Sequence, residues 1–140
     1  MLILEYLMKL TTKSEYTLLA MLYMARRPEG DFIKVDEISE ACDIPKKYLE
    51  LLLMTLRQNR LIQTRRGKQG GYRLVKDAAK ISLASIIRLM DGALAPTESV
   101  STYFYSNTPI TKEPALLEVF KDIREYISEK LEKITLEDLI

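Results

Sequence analysis

Residues 43–74, DIPKKYLELLLMTLRQNRLIQTRRGKQGGYRL, carry the pattern that decides the fold of this 140-residue chain. Their first half predicts a helix with Pro45 in its first turn, where a missing amide hydrogen costs little. One face of this helix is apolar at the i, i+3, i+4, i+7 spacing of a buried stripe. That face is formed by Leu49, Leu52, Leu53 and Leu56. We expect these leucines to lie in the core.

The other face of the same helix is largely polar, with cationic and aromatic side chains near its N-terminus. We expect the following residues to point outward: Lys46, Lys47, Tyr48, Glu50, Met54 and Gln58. A shorter helix is predicted over residues 37–42, capped by Asp36, with Ile38 and Ala41 turned inward. Two helices separated by about three residues, the second with a basic and aromatic outer face, are typical of a helix-turn-helix.

The second half of the stretch, RRGKQGGYRL at residues 65–74, has two competing interpretations. A glycine-rich loop can bind phosphate, but such loops follow a strand, open a helix and often carry a Lys-Ser or Lys-Thr pair. Here the glycines lead into a strand, and no such pair is present. Glycine also supplies the positive φ angles of a hairpin tip. We therefore predict a β-hairpin around GKQGG, flanked by Ile62, Tyr72 and Leu74. A hairpin directly after a helix-turn-helix is a wing.

Helices are also predicted on both sides of this stretch. Thr12 and Glu15 have the spacing of a capping box, so a helix should begin there and end at RPEGD, residues 27–31. Another helix should cover residues 82–90 and end at Asp91-Gly92. Its apolar stripe is formed by Leu83, Ile86, Ile87 and Met90. A polar and aromatic loop should follow over residues 93–114.

From Ala115 onward the sequence predicts a long helix and, because Thr135 and Asp138 repeat the capping-box spacing, a small terminal helix. The apolar stripe of the long helix consists of Leu116, Phe120, Ile123, Ile127, Leu131 and Ile134. Such a stripe must be buried, and its simplest partner is the same helix of a second copy in a two-fold homodimer. The alternative, that the helix folds back as another core helix, stays open.

Together these elements predict a mainly α fold with a small β-hairpin. The winged helix-turn-helix region should cover residues 8–80. The linker helix, loop and dimerisation helix should form one compact unit over residues 81–140. Residues 1–7 are expected to be an N-terminal extension.

The composition is that of one ordinary globular domain, with 47% hydrophobic and 29% charged residues. The apolar N-terminus lacks the basic flank and cleavage pattern of a signal peptide, and the longest apolar run elsewhere is too short to cross a membrane. The single cysteine, Cys42, excludes a disulfide within the chain, so we expect a cytoplasmic protein. Cys42 itself should be a small buried hydrophobe rather than a redox switch, since no cation is next to it in sequence.

Side chains that catalyse reactions are scarce. The chain has no histidine and one cysteine. General acid-base and nucleophilic mechanisms therefore have few candidate residues. We expect no enzymatic activity, no metal site and no cofactor.

The middle of the chain is strongly basic although the whole is nearly neutral. Ten Lys or Arg and two acids lie in residues 45–80, a net formal charge of +8, against +1 for the chain. Such a concentration predicts an anion-binding face, here for double-stranded DNA. The helix would enter the major groove and Arg66 the narrow minor groove. The residues expected to contact DNA are Lys46, Lys47, Tyr48, Glu50, Arg57, Arg65, Arg66, Lys68, Gln69 and Arg73. A winged-helix module for protein or RNA contact remains the alternative.

Five stretches resemble the Rrf-type winged-helix transcription regulators, the group of IscR, NsrR and CymR. They are MKLTTKSEYTLLAMLYMA (8–25), IPKKYLELLLMTLRQNRLI (44–62), RRGKQGGYRL (65–74), ISLASIIRLMDG (81–92) and ITLEDLI (134–140). The resemblance implies a dimeric repressor or activator on a palindromic operator, and of the two we expect a repressor. It also suggests that residues 1–7 are an extension or precede a start at Met8. By position, it implies that Tyr48 and its neighbours form the recognition helix, that Arg66 is the minor-groove arginine and that Glu50 tunes operator choice.

One region departs from the resemblance. Many members of the family hold an iron-sulfur cluster with three cysteines in the loop after the DG helix, whereas residues 93–114 contain neither Cys nor His. We therefore expect no cluster, and a small-molecule effector, a protein effector or no signal at all. The aromatic residues in this loop, Tyr103, Phe104 and Tyr105, could contact a partner or ligand, but packing against the dimerisation helix is the expected role.

Overall fold

The computed structural model describes residues 9–27 and 30–140, so the predicted extension at residues 1–7 lies outside the described residues. The described part is mainly helical with one two-stranded antiparallel hairpin, which confirms the predicted fold class. Its elements are α1 Thr12–Ala25, α2 Val35–Cys42, α3 Lys46–Gln58, β1 Ile62–Arg65, β2 Gly71–Leu74, α4 Leu83–Asp91 and α5 Pro114–Lys133. No helix in these described ranges is long and apolar enough to cross a bilayer.

Helix α1 begins where the sequence predicts, but a different residue caps it. The hydroxyl of Thr11, one position before the predicted cap Thr12, accepts a hydrogen bond from the Ser14 amide at 3.2 Å. The prediction was wrong about the cap because the capping-box spacing to Glu15 selects Thr12, whereas the hydroxyl of the adjacent Thr11 makes the bond. The Thr11 hydroxyl and amide also bond to the carboxylate of Asp91.

Helix α2 starts two residues earlier than predicted. Lys34 occupies the cap position without a side-chain cap bond, so Asp36 lies in the first turn and is not the cap. Ile38 is fully buried, but Ala41 is exposed, contrary to prediction. The inward face of α2 follows the i, i+4 spacing through Ile38 and half-buried Cys42, which turns Ala41 away from the core.

Helix α3 has the predicted two faces. Its four stripe leucines are at most 3% exposed, and the six side chains predicted to point outward are all exposed. Pro45 stands immediately before the helix, at its cap position. The apolar face of α3 therefore joins the core, and its polar face is presented to solvent.

The predicted hairpin forms directly after α3. Strands β1 and β2 pair antiparallel from Ile62 opposite Leu74 to Arg65 opposite Gly71. Ile33 adds an isolated antiparallel bridge to Tyr72, with hydrogen bonds of 2.8 Å and 2.7 Å in the two directions. The segment before α2 thus contacts the wing, which the sequence did not indicate.

Gly71 is required for this close approach. Its φ is 143°, and a Cβ built there would lie 2.4 Å from the carbonyl oxygen of Ile33. Real Cβ atoms do not come so close to backbone, so any side chain at this position would push the Ile33 segment away.

The chain divides into two compact units. The helix-turn-helix unit comprises residues 15–81 and 135–140, and the long-helix unit comprises residues 82–134 with 9–14 among the described residues. The first has a core of residues from α1, α2, α3 and β1, to which Ile33 and Leu136 contribute. Its residues 135–140 begin with the predicted capping box, since the amide of Thr135 donates to Asp138 and the amide of Asp138 to Thr135.

The long-helix unit is built on α4. The Ser82 hydroxyl caps this helix by accepting from the Ser85 amide at 3.1 Å, and Gly92, with φ 90°, ends it as predicted. Ala84, Ile86, Ile87 and Met90 form its buried face, and Leu83 is half-buried. Helix α5 packs beside α4, and Arg88 and Glu132 form an ion pair of 2.7 Å between them.

Helix α5 buries none of its side chains within this chain. In the predicted stripe, Leu116 and Ile123 are 42% and 38% exposed, and Phe120, Ile127 and Leu131 are half-buried. The sixth stripe residue, Ile134, lies just past the helix end, where its carbonyl accepts from the Leu83 amide at 2.9 Å. An apolar helix face is therefore left uncovered in a single copy.

Substituting Gly71→Ala should destabilise the protein by about 2–4 kcal/mol, because backbone strain and a clash with Ile33 add together. Gly30→Ala is the matched control: φ is 96° there, but no described atom lies within 4 Å of the added Cβ. The control should cost only about 1–2 kcal/mol of left-handed strain. Urea unfolding of both variants measures the difference, and equal losses would mean that the Ile33 contact is not tight.

Candidate nucleic-acid interface

The first turn of α3 presents two neighbouring cations that differ in their surroundings. Lys46 forms an exposed ion pair of 2.8 Å with Asp36. The hydrogen bond to that carboxylate raises the pKa of Lys46, so its charge is held more firmly. Lys47 forms no ion pair with any residue in the described ranges. Lys47 is therefore the better placed of the two to pair with an external anion.

Tyr48 is positioned by a second tyrosine. Its side chain is 38% exposed, and its ring meets that of Tyr16 edge to face at a centroid distance of 5.6 Å. Such a contact restricts the ring and favours one orientation at the surface. The sequence did not indicate this contact between Tyr16 and Tyr48.

The remaining predicted contacts of α3 lie on one side of the helix. Glu50 is exposed, and Arg57 follows it two turns later, at the i+7 position on the same side. Arg57 lies in the last turn, where its charge also complements the helix dipole. The side of α3 that bears Glu50 therefore carries an acid and a base.

Two wing arginines stack on one aromatic ring. The guanidinium carbon of Arg65 lies 4.2 Å from the centroid of Phe32, and that of Arg73 lies 4.3 Å from it. Arg65 also donates to the carbonyl of Gln69 at 2.6 Å, and Arg73 to the carbonyl of Gly30 at 3.2 Å. Both side chains were predicted to contact DNA, and these internal contacts leave each with fewer donors for that purpose.

The wing tip, residues 66–70, presents Arg66, Lys68 and Gln69 as exposed side chains. Arg66 and Lys68 form no ion pair with a residue that the structure describes. The backbone beneath them is closed by a 3.0 Å bond from the Gly70 amide to the Gly67 carbonyl. The tip therefore offers two cations on a compact turn.

Residues 32–36 connect the wing to α3, and we call them the anchor segment. Phe32 underlies the wing arginines, and Lys34 donates to the Gly67 carbonyl at the wing tip at 2.6 Å. Asp36, two residues further, pairs with Lys46 at the start of α3. One short segment therefore contacts both the wing tip and the first turn of α3.

The roles of Phe32 and Lys34 were missed at the sequence level. Neither residue belongs to a periodic pattern or a charge cluster, and their contacts depend on the bridge between Ile33 and Tyr72. A single residue in a β-bridge gives no measurable period in the sequence.

The described residues do not include a group of side chains suited to bind a metal ion or an iron-sulfur cluster. In the described ranges, no three His, Cys, Asp or Glu residues are grouped so that they could hold a metal ion. Cys42 is half-buried, donates weakly to the Leu19 carbonyl at 3.7 Å, and has its pKa raised by burial, against a smaller opposite effect of Arg26. With neither thiol nor imidazole in residues 93–114, this chain does not fit the ligand set of a cluster.

Replacing Phe32 with leucine should lower the free energy of unfolding by about 1–2 kcal/mol. The change keeps apolar volume but removes two cation-π contacts of about 0.5–1 kcal/mol each. Phe104→Leu is the control, because its ring is 45% exposed and has no cation over it among the described residues. Thermal and urea unfolding measure both, and a control loss as large as that of Phe32→Leu would contradict the role of the stacked arginines.

Comparisons with known proteins give one consistent result. The model of the Rrf2 family, described as iron-dependent transcriptional regulators, matches residues 10–140. The chain is 32% identical to the HTH-type transcriptional regulator CymR of Bacillus subtilis over 94% of its own length and 89% of that protein. It is 33% identical to the regulator IscR of Yersinia pseudotuberculosis over 95% of this chain and 79% of the relative.

Solved structures agree. The structure of CymR, the global cysteine regulator of B. subtilis, superposes with a TM-score of 0.81 and 30% identity, covering 94% of this chain and 95% of that one. Members of the matched family are regulators of transcription rather than enzymes. The chain therefore belongs to the Rrf2 family of helix-turn-helix, DNA-binding transcriptional regulators.

Proposed function

We propose that this regulator is a cytoplasmic homodimeric repressor that binds a palindromic operator, with α3 in the major groove and the wing in the minor groove. The observation that carries the proposal is the anchor segment. It contacts the wing tip through Lys34 and the first turn of α3 through Asp36, which supports a single surface that includes both sets of cations. A duplex presents two phosphate-lined grooves to such a surface.

The two parts of this surface suit different grooves. The N-terminal half of a recognition helix reaches base edges in the major groove, where Lys47, Tyr48 and Glu50 would lie. The slim wing tip suits the minor groove, whose negative potential attracts Arg66 where the groove is narrow. Arg65 would contact phosphate through the guanidinium nitrogens that make no internal hydrogen bond. All three guanidinium nitrogens of Arg73 already face acceptors of the protein, the Gly30 carbonyl and the side-chain oxygen of Gln63, so Arg73 would contribute mainly its charge.

Glu50 would contribute discrimination rather than affinity. A carboxylate on a DNA-facing helix accepts a hydrogen bond from cytosine N4 and repels phosphates and base acceptors. Its exposure and its position three residues after Lys47 support this role. Operators that place another base opposite Glu50 would be bound more weakly.

The dimer is supported by the uncovered face of α5. A cavity of about 290 Å³ in the long-helix unit is lined by Ile123, Ile127 and Leu131, with Ile87 and Leu94 at its base. These are the stripe residues that we assign to the interface with Leu116, Phe120 and Ile134. A second copy of α5 would fill this space with side chains of the same chemistry.

We propose further that the protein works without an iron-sulfur cluster, although the family is described as iron-dependent. Residues 93–114 lack cluster ligands, and a small-molecule or protein effector would then supply the signal. Tyr103, Phe104 and Tyr105 are exposed in the single chain, and Arg88 lies over the Tyr103 ring at 4.7 Å. A partner helix or an effector could cover this aromatic loop.

The direct test of the proposed function is binding to the region upstream of the protein's own gene. Fluorescence anisotropy at physiological salt should show tighter binding to this duplex than to a scrambled duplex of equal composition. Specific affinity typically exceeds non-specific affinity at least a thousandfold. Equal binding to both duplexes, or tighter binding to an RNA of the same sequence, would contradict the proposal.

Replacing Arg66 with glutamine should flatten the salt dependence of DNA binding. Each lost cation contact lowers the slope of log K against log salt by about 0.9 per wing. Lys130→Gln, an exposed cation of α5, should leave the slope unchanged. An unchanged slope for Arg66→Gln would place the wing tip away from the DNA.

Light scattering should report a mass near twice 16.2 kDa at micromolar concentration. Ile123→Glu should lower that mass to the monomer value, because it places a charge in the apolar stripe. Lys130→Glu on the same helix, outside the stripe, should remain dimeric. A monomeric wild-type protein would contradict the proposed binding to the two half-sites of a palindromic operator.

A further inference from the structure

The outermost side of α3 is apolar in its middle. Helix α3 turns by about 100° per residue, so the side opposite the buried leucines runs through Lys47, Leu51, Met54 and Gln58. Leu51 is 61% exposed and Met54 is 54% exposed. Leu51 is the most exposed large hydrophobic side chain that the structure describes in the helix-turn-helix unit.

No contact in the described ranges accounts for this placement. The core needs only the leucines on the inner side of α3, and Leu51 and Met54 lie on the outer side. A helix exposed on this side would ordinarily carry polar residues in the middle of the stripe as well as at its ends. Single exposed hydrophobics are common, but two at i, i+3 on the face that enters a groove form a continuous apolar surface.

We propose that Leu51 and Met54 read thymine, by packing against the C5-methyl groups of neighbouring thymines in the major groove. This inference rests on the proposed function, in which α3 enters that groove. The thymine methyl is the apolar feature of the major-groove edges, which otherwise present hydrogen-bond donors and acceptors. An apolar side chain can distinguish thymine from the other bases in this way.

The same side chains would act against other bases. Leucine and methionine offer no hydrogen bond to the O6 of guanine or the N4 of cytosine, so those polar edges would lose water without receiving a partner. The two residues lie roughly 4.5 Å apart along the helix axis, against roughly 3.4 Å between stacked bases. They would therefore reach adjacent base pairs in each half-site.

The surroundings of the stripe favour DNA over a protein as its occupant. Lys47 precedes Leu51 by one turn, Gln58 follows Met54 by one turn, and residues 45–80 carry a net charge of +8. The buried centre of a protein interface is depleted in charge and in lysine. An apolar pair next to Lys47, in a basic region, instead suits the major groove, where thymine methyl groups line the floor and phosphates line the walls.

Substitution of deoxyuridine for thymidine tests this proposal, because it removes only the methyl group and keeps base pairing. The probe is the tightest duplex that the full-length protein selects from a random library. Thymidines in each half-site are replaced singly and then together, and Kd is measured at one fixed salt concentration. At contacted positions each replacement should weaken binding about four-fold, the equivalent of about 0.8 kcal/mol per methyl.

Protein variants close the cycle. Each variant, Leu51→Ala and Met54→Ala, should bind the thymidine and deoxyuridine duplexes almost equally at one position. At that position the Kd of the deoxyuridine duplex should exceed the Kd of the thymidine duplex by less than about two-fold. Leu19→Ala is the matched control, since Leu19 is a 47% exposed leucine on α1. It should keep the full wild-type ratio. Because all three side chains are exposed, unchanged melting temperatures are expected and should be verified.

The outcomes separate this proposal from the proposed function. Specific binding with the same Kd for thymidine and deoxyuridine at every position would overturn the proposal that Leu51 and Met54 recognise thymine. The proposed operator function would not be affected. The same holds if Leu19→Ala changes the ratio as much as Leu51→Ala. If no duplex is preferred over scrambled DNA, both proposals fail, and the apolar stripe belongs to a protein contact.

Discussion

The anchor segment is the constraint on which the geometry of the surface depends. A hairpin of two four-residue strands is marginal on its own. Here it is held by the bridge between Ile33 and Tyr72, by Phe32 beneath two guanidinium groups, and by the bond from Lys34 to the tip. Because Asp36 also pairs with Lys46, the same five residues contact the first turn of α3. The position of the wing therefore depends on these contacts together with the packing of β1 against α3.

This arrangement divides the cations of the basic region into two groups. Lys46, Arg65 and Arg73 are bound to acceptors or to an aromatic ring of the protein, and Lys47, Arg66 and Lys68 project from it. A count of charges in the sequence does not distinguish these two groups of cations. The exposed pairs contribute little stability, since solvent screens them. These contacts restrict the positions of the projecting cations, so less conformational entropy is lost when those cations bind an anion.

Long periodic segments were predictable from the sequence. The leucine stripe of α3, the glycine turn and the end of α4 at Gly92 each depend on local spacing or backbone freedom, and each is found as predicted. The missed features depend on neighbours that are distant along the chain or on a choice between equivalent residues. Thr11 and Thr12 both suit a cap, and Cys42 rather than Ala41 completes the inner face of α2. Phe32 has no periodic partner, so only the fold reveals the ring beneath Arg65 and Arg73.

Helix α5 has a consequence for the behaviour of the whole chain. Its twenty residues pack beside α4 without one fully buried side chain, so its own copy covers the helix only in part. Any partner that covers this face binds the folded helix and not the unfolded one, so it shifts the folding equilibrium by mass action. If that partner is a second copy, as proposed, the heat resistance of the long-helix unit should rise with the concentration of the protein. A larger fraction of the regulator would then be folded in cells that contain more of it.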